Sequence, residues 1–181
     1  MSGCNFQARG LALAALVVLL LASTALGQEA IVSARIVGIT DGDTVKALLA
    51  GNKLLRVRLT WIDAPEKSQA FGQRSKQHLS ELVFGREVGL HTRCLDRYGR
   101  TLAVIFVNGI DANLEQVRSG MAWCYTRYLS EASSDIRVSY QQAEAEARGE
   151  RRGLWSDPDP IEPSLYRRPI NQRTRSQRPL I

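Results

Sequence analysis

Apolar and polar positions along the chain fall into two periods. AIVSARIVG, at Ala30–Gly38, is rich in β-branched residues and reads as a strand. Asp41-Gly42 then supplies a hairpin turn, read here as one needing positive φ at its centre, and Asp43–Ala50 is the return strand. Gly51-Asn52 makes a second turn. The strand after it, Lys53–Leu59, alternates: Leu55, Val57 and Leu59 line one face, Leu54, Arg56 and Arg58 the other. One face suits a core, while the other carries guanidiniums into a cleft. At Phe71–Phe84 the period changes to helical, with Ser75, Leu79, Leu82 and Val83 on one side and Gly85 as the stop.

Two more strands are predicted at Glu87–Leu95 and Leu102–Val107, the second apolar enough to be covered on both faces. Asn108-Gly109 turns the chain, and Ile110, Leu114 and Val117 mark a short helix closed by Gly120. Ala122–Tyr125 reads as a last short strand. Ser134 is placed to cap a helix over Asp135–Arg148, with Ile136, Tyr140, Ala143 and Ala147 inward. After Trp155, four prolines (158, 160, 163 and 169) argue against regular structure, and NQRTRSQRPLI reads as a disordered, Arg-rich end. Five strands and three helices in this order predict an α+β fold, a small barrel with helices against it.

The organisation is then a leader over 1–27, a domain over 28–157 and a Pro/Arg-rich tail over 158–181 of the 181 residues. The leader has Arg9, an apolar run from Leu11 to Ala22 and a small-x-small site at Ala25-Leu26-Gly27, as a secretory signal has. An uncleaved anchor is the alternative, although the run is short for a span of about 20 residues. Export to periplasm or medium is the expectation, with no stable membrane association after cleavage. An oxidising compartment permits a bridge between Cys94 and Cys124; two buried thiols are the other reading.

Charge changes the picture less than chemistry does. Lys and Arg total 24 against 18 Asp and Glu, a net +6 that favours polyanions without naming one. The two histidines, His78 and His91, exclude HExxH and multi-histidine zinc sites, and no GxSxG, Walker or dinucleotide loop occurs. What remains is a set of carboxylates and arginines at element ends: Asp41 and Asp43, Arg58, Asp63 and Glu66, and Asp96 with Arg100. Each alone reads as an ordinary turn or solvated loop. Together they make an oxygen site for a hard cation, a spare carboxylate to position or deprotonate water, and two guanidiniums for phosphate oxygens.

Asp41-Gly42-Asp43-Thr44-Val45, Val57-Arg58-Leu59 with Ile62-Asp63-Ala64-Pro65-Glu66, and Asp96-Arg97-Tyr98-Gly99-Arg100 resemble, in order and spacing, the thermonuclease (staphylococcal nuclease-like) family. Asn113, Val117-Arg118, Gly120-Met121-Ala122 and Gly153-Leu154-Trp155 extend the likeness, which runs from about Ile31 to Trp155. The resemblance implies a five-stranded OB-type barrel with three helices, and Ca²⁺-dependent hydrolysis of DNA and RNA. Carried over by motif, Asp43, Asp63 and the backbone carbonyl of Ala64 would hold the cation. Ala64 stands where the family often has Thr, a loss of a hydroxyl only. Glu66 would be the general base, Arg58 and Arg100 would hold the attacked phosphate and the leaving oxygen, Asp41 would support the metal loop, and Tyr98 would bond a terminal phosphate. Tyr125 and Tyr128 stand only approximately where the family's nucleotide-holding tyrosines lie. Single-stranded substrate, low base specificity and a monomer are the expectation. The alternatives are a non-catalytic OB-fold nucleic-acid-binding module and, more distantly, a structural or lipid-surface protein using its basic tail.

Overall fold

The computed structural model describes residues 31–168, so residues 1–30, which include the leader and Ala30, and the last thirteen residues, 169–181, lie outside the described residues. Strand β1 (Ile31–Asp41) turns through Gly42 and Asp43 into β2 (Thr44–Leu48), and a 3₁₀ turn at Ala50–Asn52 leads to β3 (Leu54–Leu59). Gly51 and Asn52 sit at φ 71° and 59°, the left-handed pair that a tight hairpin needs. β1 also pairs antiparallel with β5 (Glu87–Leu95), and β5 with β6 (Thr101–Val107). β6 then meets β3 in parallel register, Arg58 beside Leu102, which closes β1, β2, β3, β5 and β6 into a barrel.

The alternation expected in β3 holds: Val57 and Leu59 are buried and Arg56 is exposed. Helix α1 (Gly72–Val83) packs on β1 through Ser75, Leu79 and Val83. After β6, Asn108 and Gly109, both at positive φ, turn the chain into the two-residue β7 (Ile110–Asp111). Ile110 is therefore strand rather than helix. Helix α2 (Ala112–Arg118) starts behind it, where the Asp111 carboxylate accepts the Leu114 N–H at 3.0 Å. α4 (Ser134–Gly149) lies on α2 and buries Tyr140, Ala143 and Ala147. Ser134 is already inside this helix, and its hydroxyl bonds the Asp135 carboxylate instead of capping.

Two single-turn helices were not expected: α3 (Thr126–Leu129) and α5 (Pro163–Tyr166). Pro163 opens α5 at the first helical position, where a missing N–H costs nothing, so the proline that argued against helix begins one. A second small sheet pairs β4 (Ile62–Asp63) with β8 (Trp123–Cys124), the short strand read at Ala122–Tyr125. Its rear is held by α4: the Glu144 carboxylate accepts the Cys124 N–H at 2.9 Å, and Arg148 lies over the Trp155 ring at 3.9 Å. The cysteines are not bridged, a correction to the disulfide reading. Cys94 is exposed on β5, whereas the buried Cys124 thiol donates to the Tyr140 carbonyl at 3.3 Å.

Candidate active site

The first carboxylates sit on the β1–β2 turn. Gly42 is required there for space and not for φ: a Cβ would overlap the Ser75 hydroxyl of α1 and crowd the Ala64 methyl. Its φ is not positive, which corrects the reason first given for it. The Gln116 amide of α2 ties the turn down, donating to the Gly42 carbonyl at 2.6 Å and the Ser75 carbonyl at 3.2 Å, while its own oxygen bonds His78. Asp43 follows with its carboxylate turned inward. One oxygen accepts the Thr44 hydroxyl at 3.0 Å; the other accepts the Ala64 N–H at 2.8 Å. Asp41 accepts the Asp43 N–H at 3.2 Å. Burial, and then the neighbouring Asp43 charge, push the Asp41 carboxyl up to about 6.

β3 delivers Arg58 to the same place. Trp61, at φ 67°, makes the sharp turn from β3 into β4, an unusual conformation for a bulky residue. That turn wraps the guanidinium: Nη1 donates to the carbonyls of Leu59 (2.7 Å) and Ile62 (2.9 Å). Nη2 is 3.0 Å from an Asp43 oxygen and 3.1 Å from an Asp63 oxygen. Four of its five N–H donors are thus directed inward, and its side chain is 11% exposed. Asp63, on β4, is 2% exposed at the side chain. Burial raises its carboxyl above the usual range, against the lowering effects of the Arg167 hydrogen bonds and the Arg58 charge.

Glu66 stands at the mouth of this cluster on the loop before α1. Its N–H donates to the Gln69 side chain at 3.1 Å and its carbonyl accepts the Gln69 N–H at 2.9 Å. Gly72 lets that carbonyl pass, since a Cβ there would overlap it. The Glu66 carboxylate reaches Arg167, just past α5, at 2.8 Å, and Arg167 also holds both oxygens of Asp63, at 3.2 and 2.7 Å. Asp43, Asp63 and Glu66 are therefore gathered around two guanidiniums, Arg58 and Arg167. Sequence reasoning missed Arg167; the only signal was an arginine-rich stretch.

Arg100 and Tyr98 are placed apart from this cluster. Asp96 organises their loop, accepting the N–H groups of Tyr98 (2.8 Å) and Arg100 (2.9 Å) and the Arg100 Nε at 2.7 Å. Despite some desolvation, those bonds from Arg100 and Tyr98 hold the Asp96 carboxyl below its ordinary range. Tyr98 is 64% exposed, with the Arg100 guanidinium over its ring at 5.5 Å. Arg100 immediately precedes β6, on the strand beside Arg58 and two positions out of register. By strand geometry their Cα atoms are about 8 Å apart.

The donors around Asp43 and Asp63 are all oxygens, converging on one nitrogen, and such a set suits a hard cation. Among the described residues, no group of three or more His, Cys, Asp or Glu side chains is gathered to hold a metal ion.

Comparison with known proteins identifies the family. The family described as staphylococcal nuclease homologue matches residues 56–157. A Haemophilus influenzae protein named an uncharacterized endonuclease is 50% identical over 134 residues, covering 74% of this chain and 72% of its own. A micrococcal nuclease of Shigella flexneri is 40% identical over 148 residues, 77% of this chain and 82% of its own. The Escherichia coli protein ParB is 43% identical over 171 residues, 90% and 92% of the two chains. With the family match spanning more than half of the chain, and relatives of this identity covering most of it, the protein belongs to the staphylococcal nuclease homologue family.

Proposed function

We propose that this protein is an exported, Ca²⁺-dependent nuclease that hydrolyses phosphodiester bonds of DNA and RNA with low base specificity. The observation that carries the reading is the convergence of Asp43 and Asp63 on a single Arg58 nitrogen, with Glu66 joined to Asp63 through Arg167. Three acids in a phosphate-binding groove repel substrate unless a cation lies among them. The relatives named as nucleases support the same chemistry.

Asp43, Asp63 and the Ala64 carbonyl would hold the cation, which when bound offsets the negative charge that develops on the phosphate. Glu66 takes a proton from the attacking water as the new P–O bond forms, and the bond to the leaving oxygen breaks as that oxygen gains a proton from solvent. Arg58 and Arg100 hold non-bridging oxygens by paired N–H donors. For Arg58 this requires its Nη2 protons to leave the carboxylates, so cation loading and phosphate binding are coupled. Contacts of this kind read phosphate and not base, which fits low sequence specificity and accessible single strands. Export rests on residues 1–27, and no described helix is long and apolar enough to cross a membrane.

A non-catalytic binding module is the second reading, favoured by the neutralisation of the acids by two guanidiniums already in place. Glu66→Gln separates the two. With denatured DNA and Ca²⁺, a nuclease loses turnover far more than substrate affinity in that variant, and chelation abolishes cleavage. A parent protein that retains DNA without cutting it under any divalent ion supports the module instead.

A further inference from the structure

The chain after Trp155 folds back across the mouth of the site. Asp157–Arg168 contains α5 and is fastened at three points. The Gln69 amide donates to the Ile161 carbonyl at 2.5 Å, and the Tyr166 hydroxyl lies 3.2 Å from both the Ser68 hydroxyl and the Ser68 carbonyl. The third is Arg167 itself, on Asp63 and Glu66. A small cavity of about 120 Å³ is left beneath it, with Pro65, Phe71, Trp123 and Leu154 below and Ile161 and Tyr166 above. All three anchors fall on the segment 63–69, which carries the metal-binding and base candidates.

We infer that this strap is an inhibitory latch in which Arg167 is a tethered cation competing with the divalent ion for Asp63. The inference rests on the cation reading of the preceding subsection. Arg167 Nη2 is 2.7 Å from one Asp63 oxygen and Nη1 3.2 Å from the other, so while the latch is docked both oxygens carry its N–H groups, beside the one that Arg58 already places on Asp63. The same guanidinium occupies Glu66, the group that must face water. Charge sets the two occupants against each other, since a guanidinium and a divalent ion on one carboxylate repel. The Arg167 side chain is 42% exposed, so its ion pairs are partly screened by solvent and can exchange. The protein would therefore be closed at low cation and open when cation is abundant.

Population arithmetic sets the size of the effect. If the latch is docked in about nine molecules of ten, the apparent cation affinity falls about tenfold below the intrinsic one. Calorimetric titration of the full chain with Ca²⁺, without nucleic acid, tests this beside Arg167→Gln, Tyr166→Phe and Asp43→Ala. We expect Arg167→Gln to bind Ca²⁺ about tenfold more tightly and Tyr166→Phe, which keeps every charge and loosens one anchor, to fall between. Ca²⁺ should also speed tryptic cleavage after Arg167 in the parent. Equal Ca²⁺ affinity in parent and both latch variants overturns the latch and leaves the cation site standing. No Ca²⁺ binding in any of them, or binding that survives Asp43→Ala, overturns the cation site and the latch with it.

Discussion

Replacing Arg58 should destabilise the metal-free protein as well as disable it. The guanidinium makes four contacts of 2.7–3.1 Å to two carbonyls and two carboxylates, and its side chain is 11% exposed. Arg58→Ala leaves Asp43 and Asp63, 9% and 2% exposed at their side chains, without this shared counter-charge. Removing one partner of a buried pair costs about 3–5 kcal/mol. Asp43 retains the Ala64 N–H and the Thr44 hydroxyl, and Asp63 retains Arg167, so the lower end, about 3 kcal/mol, is expected. That is a large share of a stability that for a domain is about 5–15 kcal/mol. Arg58→Lys should cost about half as much, since one ammonium cannot serve two carbonyls and two carboxylates at once. Urea denaturation with chelator present reads this as a lower midpoint at unchanged slope. Both variants should also lose cleavage. A shift of less than about 0.5 kcal/mol for Arg58→Ala, the size of an ordinary surface change, would refute the reasoning.

Other residues give independent checks. Asn113→Ala should cost about 2–5 kcal/mol in the same assay, because the fully buried amide links α2 to the Thr60 and Ala103 carbonyls and accepts the Ile105 N–H; a loss below about 1 kcal/mol would contradict it. Burial raises the Asp111 carboxyl, against its bonds from the Leu114 N–H and the Tyr140 hydroxyl. Its folded value thus exceeds the unfolded one, so its contribution is fully present below about pH 3.9 and is lost as pH rises through the folded value. Asp111→Asn should flatten that decline while keeping the helix cap, and an unaltered pH profile would rule this out. A disulfide reagent should label Cys94 in the native protein and Cys124 only after denaturation, since Cys94 is exposed while burial pushes the Cys124 thiol up to about 12.

Local signals carried much of the fold. The period of β3 put Val57 and Leu59 in the core and Arg58 on the opposite face, and Gly51-Asn52 and Asn108-Gly109 turn with the positive φ their sequences call for. What stayed hidden is non-local. Gly42 looked like a hairpin glycine, yet its need arises from α1 packed against the turn, more than thirty positions downstream. Barrel closure depends on β3 meeting β6 in parallel, which no spacing announces. The acids of the site were legible as types at element ends, but their binding to Arg58 was not, because the turn at Trp61 creates it. Arg167 lies 104 positions from Asp63, in a stretch whose composition argued against order. Its docking follows from anchors at Ser68 and Gln69 that sequence reading gave no role.

The most direct measurement is hydrolysis of denatured DNA by the parent and by Asp43→Ala, each with millimolar Ca²⁺ and with chelator. Asp43 touches the Ala64 N–H, the Thr44 hydroxyl and Arg58, so its loss disturbs both the proposed cation site and Arg58. Cleavage by the parent that needs Ca²⁺ and disappears in Asp43→Ala is the expected result. Cleavage that persists in Asp43→Ala, or that ignores the chelator, would place the chemistry outside this cluster.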